Sequence, residues 1–274
     1  VKYLDNIKNI IITADKIIYF KNDEKIFTIG NSKFVDENKD IKADNLEYDK
    51  SRNIFKAKQN VEINDYDKDT KIYAKEISYL INAEKIFTKG ETKALIQKKY
   101  KFNSRDISYF RNDENIFSEK KTSIEDDNGN IYKLDKFSYN ITNELLKATD
   151  IEVLAKVEVN KIDKYFFSEG FFNFKNKSYI AKETKINIHK DVFGDESNDP
   201  RIYGSTSSSD QNKTIVNNAI FTSCKLNDDC PPWSIKAEKI THDKIKKDMI
   251  YKNAVIKIYD TPILYFPKFF HPDS

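Results

Sequence analysis

Cysteine, glycine, proline, methionine and tryptophan are all scarce: two Cys, six Gly, six Pro, one Met and one Trp in 274 residues. With so little glycine there is no phosphate-cradling loop and no Gly-x-Gly-x-x-Gly dinucleotide turn. Two cysteines cannot hold zinc without further ligands from distant parts of the chain, and His189, His242 and His271 lack paired metal-ligand spacing. Ser205–Ser209 has no nucleophile elbow around it and reads as a solvated loop. Carboxylates are so plentiful that any two make a pair, so none argues for acid–base catalysis. No catalysis, no metal and no cofactor are therefore expected. No apolar run approaches the ~18 residues of a membrane-spanning helix. The densest stretches are Ile10–Ile12, Tyr165–Phe174 and Pro262–Phe270. No signal peptide is visible and the first residue is Val1, so a removed leader or a trimmed fragment is expected.

An excess of one charge is lacking as well. The 47 Lys+Arg against 44 Asp+Glu leave +3, the signs are interspersed, and only four of the basic residues are Arg. That is not the basic face that phosphate neutralisation needs, so no nucleic acid is expected as partner. Aromatic residues, by contrast, are abundant, with 19 Phe and 16 Tyr in a chain that is 39% hydrophobic. This suits a β-rich core and excludes disorder.

The chain repeats itself. Ala14-Asp15-Lys16-Ile17-Ile18-Tyr19 aligns with Ala43-Asp44-Asn45-Leu46-Glu47-Tyr48, then with the segments ending at Tyr79, Tyr109 and Tyr139. The spacings are 29, 31, 30 and 30 residues. Ile26-Phe27, Ile54-Phe55, Ile86-Phe87, Ile116-Phe117 and Leu145-Leu146 follow in turn. A fixed period of this length marks a stacked, solenoid-like array. Phe55, Ala57, Val61 and Ile63 share one parity, and Ile151, Val153, Ala155, Val157 and Val159 another run of it. Both predict strands with one dry face. Asn112–Asn115 and Asp126–Asn130 predict hairpin turns. Ile41 and Ala43 are odd but Leu46 and Tyr48 even, so an extra residue bends the sheet there. Residues 191–213 predict a polar loop around a short strand, and further strands are expected near 214–222, 233–242 and 249–259. Cys224 and Cys230 allow a local disulfide in an oxidising compartment, pairing with cysteines beyond this chain, or two buried thiols.

The C-terminal stretch carries a resemblance. Phe221-Thr222-Ser223-Cys224, Pro231-Pro232-Trp233-Ser234-Ile235-Lys236-Ala237, Asn253–Ile258 and Thr261-Pro262-Ile263-Leu264-Tyr265-Phe266-Pro267-Lys268-Phe269-Phe270-His271-Pro272-Asp273 follow in that order. This resembles the lipopolysaccharide-assembly outer-membrane proteins of the LptD family, at the junction between periplasmic domain and barrel. Arg201-Ile202-Tyr203-Gly204 and Asn218-Ala219 look like the same family. The repeats resemble the OstA-like domain shared with the soluble LptA-type bridge proteins. Asp260-Thr261 departs from the Gly and aliphatic residue often found there, and the barrel is missing.

The resemblance implies an all-β, OstA-like β-jellyroll: an open, trough-shaped roll of antiparallel hairpins over 1–222, then final strands and a barrel junction over 223–274. It implies lipopolysaccharide as cargo, passed to a barrel that holds an LptE-like lipoprotein. It also implies an LptA-like bridge protein added as a strand near Ile10–Tyr19, at the periplasmic face of the outer membrane. Physics favours such a trough, since ten exposed CH₂ groups cost about 8 kcal/mol in water. The expected groove lining is Phe27, Phe55, Ala57, Val61, Phe87, Phe117, Leu146, Val153, Phe167 and Phe172; Tyr165–Phe174 suits core, groove wall or membrane edge alike. Pro262, Tyr265, Pro267, His271 and Pro272 mark the junction, where the prolines are expected to keep pairing loose or simply to stiffen a linker. The rival expectation is a structural or adhesive β-solenoid with a filled interior, and more remotely a polysaccharide-acting enzyme.

Overall fold

Alternation of apolar and polar residues makes the strands of this protein, and breaks in that alternation bend them. The computed structural model describes residues 1–155, 162–190, 198–225 and 232–272. Within them lie one 3-10 turn, Ile81–Ala83, and strands in antiparallel pairs. In chain order the strands are β1 (Lys2–Asp5), β2 (Ile10–Thr13), β3 (Lys16–Phe20), β4 (Lys25–Ile29), β5 (Ser32–Val35), β6 (Lys39–Ala43), β7 (Asn45–Asp49) and β8 (Ile54–Asp65). Then come β9 (Thr70–Leu80), β10 (Lys85–Ile96), β11 (Tyr100–Arg105), β12 (Ser108–Phe110), β13 (Asn115–Ser118), β14 (Thr122–Glu125), β15 (Ile131–Leu134) and β16 (Lys136–Asn140). The last are β17 (Leu145–Ala155), β18 (Asp163–Asn173), β19 (Ser178–Asn187), β20 (Arg201–Ser209), β21 (Lys213–Thr222), β22 (Trp233–Asp243), β23 (Asp248–Ile258) and β24 (Thr261–Pro272). The expected all-β class holds.

Two compact units result: Val1–Asp127 with Lys136–Thr142, and Asn128–Asp135 with Asn143–Ser274. The boundary read from sequence at residue 222 falls inside the second unit, between β21 and β22, which pair with each other.

The first unit is two sheets joined along a corner. One sheet runs β1-β2-β5-β6, then the second half of β8, the first half of β9 and the second half of β10, then β11-β14. The other runs β3-β4-β7, then the remaining halves of β8, β9 and β10, then β12-β13-β16. The corner sits where the parity slips. Ile41 and Ala43 precede Asp44, Leu46 and Tyr48 follow it, and all four apolar side chains are buried. In β8 and β10 the corner is left-handed backbone, at Gln59 and Asn60 (φ 64° and 52°) and at Gly90 (φ 81°). Glycine takes that conformation without a Cβ penalty. Buried hydroxyls supply the partners that the bend removes. Thr28 Oγ1 accepts the Leu46 N–H at 2.9 Å, and Thr88 Oγ1 accepts that of Ile107 at 2.8 Å.

In the second unit β15 pairs with β17, and β17 to β24 pair successively. Asp150, Glu183, Asn218 and Asn253, all left-handed at φ 46–50°, mark its corners. The polar segment read as a loop with a short strand is instead largely β20, paired with β19 and β21 along its length; residues 191–197 lie outside the described residues. Of its serines Ser207 turns into the inner bend, where Thr184 Oγ1 donates to its Oγ at 2.7 Å, while Ser205 is exposed.

Gly204 is required there by close approach. A Cβ would lie 2.2 Å from Val216 Cγ1 and 2.9 Å from the Asn217 carbonyl oxygen. Gly204→Ala should therefore lower stability by about 1–3 kcal/mol, the range for overpacking a tight site. Urea unfolding followed by the fluorescence of Trp233 reads this. A loss under ~0.5 kcal/mol, the size of a neutral surface change, would show that the strands part freely at that point.

Candidate functional site

The inward face is the one feature continuous through each unit, and its two long edges differ. In the first unit one wall is a cross-strand ladder. Ile26 stands between Tyr19 and Tyr48, Phe55 between Tyr48 and Tyr79, Ile86 between Tyr79 and Tyr109, and Ile116 between Tyr109 and Tyr139. From Ile26 to Tyr139 each is 0% exposed. Ile12, Phe34, Ile41, Ile63 and Phe102 fill the opposite wall, also at 0%. The walls touch: ring centroids of Phe34 and Phe55 are 4.6 Å apart, and those of Phe102 and Tyr139 5.2 Å. The middle of this unit is filled, not a slot.

Opposite the corner, the hairpin turns of the two sheets form two rows. Backbone bonds stack turns within a row, as from Ile81 N–H to the Asn53 carbonyl and from Gln97 N–H to the Asp69 carbonyl. Side chains cross between rows at regular steps. Lys8 Nζ donates to Asn53 Oδ1, and to Tyr48 Oη at 3.2 Å. Lys39 Nζ lies 3.2 Å from Glu84 Oε2, and Lys68 Nζ pairs with Glu114. Gln97 Nε2 donates to the Ile141 carbonyl at 3.2 Å. Arg111 adds bonds to Asp65 at 2.7 Å and Asp67 at 2.8 Å. Core tyrosines reach the same acids: Tyr79 Oη donates to Glu84 at 2.6 Å and Tyr109 Oη to Asp65 at 2.8 Å. Burial first, and the adjacent carboxylate second, push both hydroxyls far above the ordinary tyrosine range. Burial likewise pushes Tyr48 up to about 12. The Lys68 ammonium and the Thr142 hydroxyl hold the Glu114 carboxyl below its usual range.

The second unit is less tightly closed. Its core holds Ile186, Ile202, Val216, Phe221, Ile240 and Tyr251, each 5% exposed or less. Tyr165, Ile188, Trp233, Ile256 and Phe269 pack against this core yet stay half-buried. They form a partly exposed apolar lip around it: Ile188 and Trp233 at strand ends, Tyr165 and Ile256 within strands, and Phe269 two residues past the corner that faces Asn253. Tyr251 stacks on Phe269 at 4.5 Å, and its Oη is 3.1 Å from His271 Nε2.

The residues expected to line a groove divide by face. Phe55, Ala57, Val61, Leu146, Val153, Phe167 and Phe172 are buried, 7% exposed or less. Phe27, Phe87 and Phe117 are half-buried on the outer face, because Ile26, Ile86 and Ile116 take the inward parity. Phe27 meets exposed Phe20, and Phe87 and Phe117 both meet Phe110. Ten residues can thus no longer be read as one lining. Of the aromatic stretch Tyr165–Phe174, Phe167 and Phe172 are core, Tyr165 is lip, and Phe171 points outward, 36% exposed.

At the junction, β24 pairs with β23 along its length, with a bulge only at Ile256/Lys257, so the prolines do not leave it loose. Pro267 stands at the corner opposite left-handed Asn253, and an edge strand tolerates missing donors. Tyr265 and Phe270 are 60% and 66% exposed on that strand. Cys224 is a half-buried free thiol 3.6 Å from the Trp233 carbonyl oxygen; Cys230 lies outside the described residues. At the other end of the chain, β2 is flanked by β1 and β5, so within Ile10–Tyr19 the strand with pairing on one side alone, among the described residues, is β3, which pairs with β4.

Sequence reasoning missed Ile188, Trp233, Ile256 and Phe269 as a lip. No repeat marks them: Ile188 and Trp233 stand at strand ends, whereas Ile256 and Phe269 lie within β23 and β24.

No family model matches the chain, and no curated protein matches it. Among solved structures it is similar to LptH of Pseudomonas aeruginosa, described as the LptA-homologous periplasmic component of the lipopolysaccharide transport device. The identity is 12% and the TM-score 0.24, over 53% of this chain and 85% of that one. A likeness of that size carries no argument about function.

Proposed function

We propose that this chain is a lipid conduit: it shelters the acyl chains of lipopolysaccharide and passes them on without chemistry, as the LptD-like resemblance of its C-terminal motif implies. One observation supports the reading most. Apolar side chains occupy the inward face of both units, and in the second unit that face comes to the surface at Tyr165, Ile188, Trp233, Ile256 and Phe269. A partly exposed apolar lip on a chain that is 33% charged is where an alkyl chain gains most from leaving water. Under this reading the chain works at the periplasmic face of the outer membrane. A bridge protein of the LptA type adds at β3, and a barrel with its LptE-like lipoprotein receives the cargo.

Photo-crosslinking tests it. With a photoreactive residue at Trp233 or Phe269, lipopolysaccharide should label the protein; at exposed Lys56 it should not. Label at Lys56 alone would overturn the conduit. A scaffold is the second reading, favoured by the filled interior of the first unit, and equal, weak labelling at all three positions would support it instead.

A further inference from the structure

We propose that the cross-row side chains of the first unit form a latch, and that its two sheets part along this seam to take an aliphatic chain between them. The inference rests on the conduit reading and adds how a filled unit could be loaded.

The two edges of this unit are mechanically unequal. Along the corner, β8, β9 and β10 run from one sheet into the other, so separation there would break the chain path. Along the seam, backbone hydrogen bonds stack turns within each row, and side chains make the crossings described above. Opening the seam therefore parts side chains while both sheet ladders stay intact. The corner already contains the left-handed and one-residue joints that a hinge would use, at Asp44, Gln59–Asn60 and Gly90.

The chemistry of the seam also suits a closure that releases. Apolar residues would seal a core edge at least as firmly as ion pairs, because burying charge costs desolvation. Lys39 is 3% exposed in its side chain, held between Asp36 at 2.7 Å and Glu84 at 3.2 Å, with its Nζ 5.0 Å from the Tyr79 ring centroid. Such pairs fix register sharply and re-form in one geometry. The crossings recur with sequence separations of 45, 45, 46 and 44 residues, one and a half repeats. Every crossing thus ties a turn to the third one on along the chain, which lies in the other row, and the latch would open in steps along the roll. Beneath it the walls meet through rings such as Phe34 on Phe55 and Phe102 on Tyr139, whose contacts an alkyl chain can replace.

The test uses the full chain with Cys224→Ser and Cys230→Ser, and spin labels on Glu37→Cys and Asn82→Cys, one in each row. The probe is cis-parinaric acid, whose fluorescence rises in apolar surroundings. The latch predicts that the probe widens the distance between labels. It also predicts that Glu84→Gln with Glu114→Gln, which removes two charged crossings, tightens probe binding roughly tenfold. Probe bound with the rows unmoved would overturn the latch and leave the conduit standing, with the lip as its entrance. Rows parting in the charge-removed variant, with no probe bound anywhere, would overturn the loading of the seam together with the conduit. Rows fixed in every variant, with no probe bound, would overturn both. Lys39→Met, which keeps an apolar stem on the Tyr79 ring, guards against misreading a folding defect: it too should bind the probe more tightly, with unchanged far-UV circular dichroism.

Discussion

Phe55→Ala should destabilise the first unit by about 3–5 kcal/mol, the cost of deleting a fully buried ring from a core that cannot collapse around the hole. The side chain is 0% exposed, flanked by Tyr48 and Tyr79 along the sheet and met across the interior by Phe34 at 4.6 Å. Ring pairs of this kind add about 0.5–1.5 kcal/mol beyond their buried area. The neighbours are held in ladders on both sides, so the cavity stays. Hydrogen exchange at β8 and β9 amides, with urea unfolding by circular dichroism, measures the loss. Phe27→Ala is the matched control, since Phe27 lies half-buried on the outer face against Phe20, and its cost should stay near ~1 kcal/mol. Equal costs at the two positions would refute the division of faces drawn here.

Arg111→Ala should be nearly as damaging, about 3–5 kcal/mol, for an electrostatic reason. The side chain of Asp65 is 1% exposed, and Arg111 reaches it through Nε at 2.7 Å while also holding Asp67 at 2.8 Å and Glu84 at 3.5 Å. Burial works against the Arg111 charge, but the hydrogen bond and charge of Asp65 outweigh it, so the guanidinium stays firmly protonated. Truncation leaves a carboxylate in the interior with the Tyr109 hydroxyl and the Lys68 N–H as donors and no positive charge bonded to it. Arg111→Lys should recover little, because a point charge cannot serve Asp65, Asp67 and Glu84 from one plane. Arg111→Met with Asp65→Leu and Tyr109→Phe removes the whole polar group and should return stability to within ~1 kcal/mol of the parent. If Arg111→Ala alone costs that little, Asp65 is reached by water and the seam is weaker than its geometry implies.

How far the sequence could be read follows from these same residues. The repeat, the strands and the parity slip at Asp44 were legible, because each depends on local alternation. The inward set was legible only in part. Aligning on phenylalanine joins Phe27, Phe55, Phe87 and Phe117, whose spacings differ from those of the Ala-Asp repeats. Counting seven residues on from Tyr19, Tyr48, Tyr79, Tyr109 and Tyr139 gives Ile26, Phe55, Ile86, Ile116 and Leu146, with the repeat's own spacings of 29, 31, 30 and 30. All five are buried at 0%. The hairpin length between paired residues, rather than ring type, carried the signal. The serines of β20 misled because composition reports hydrophobicity and not where a bend needs a hydroxyl. The ionic crossings were out of reach, since their partners lie one and a half repeats apart and nothing along the chain joins Lys39 to Glu84.

The bend line has one more implication. In an ordinary hairpin array, adding a single amino acid reverses inside and outside for everything downstream until a turn absorbs the error. Here the single residues at Asp44 and Lys75 shift the parity while the pairs Gln59–Asn60 and Gly90–Glu91 keep it, and the apolar set stays buried in every case, so a corner accepts either count. The array can therefore drift in length by small steps at its elbows while keeping its oily side hidden, and grow or shrink by whole modules without redesign.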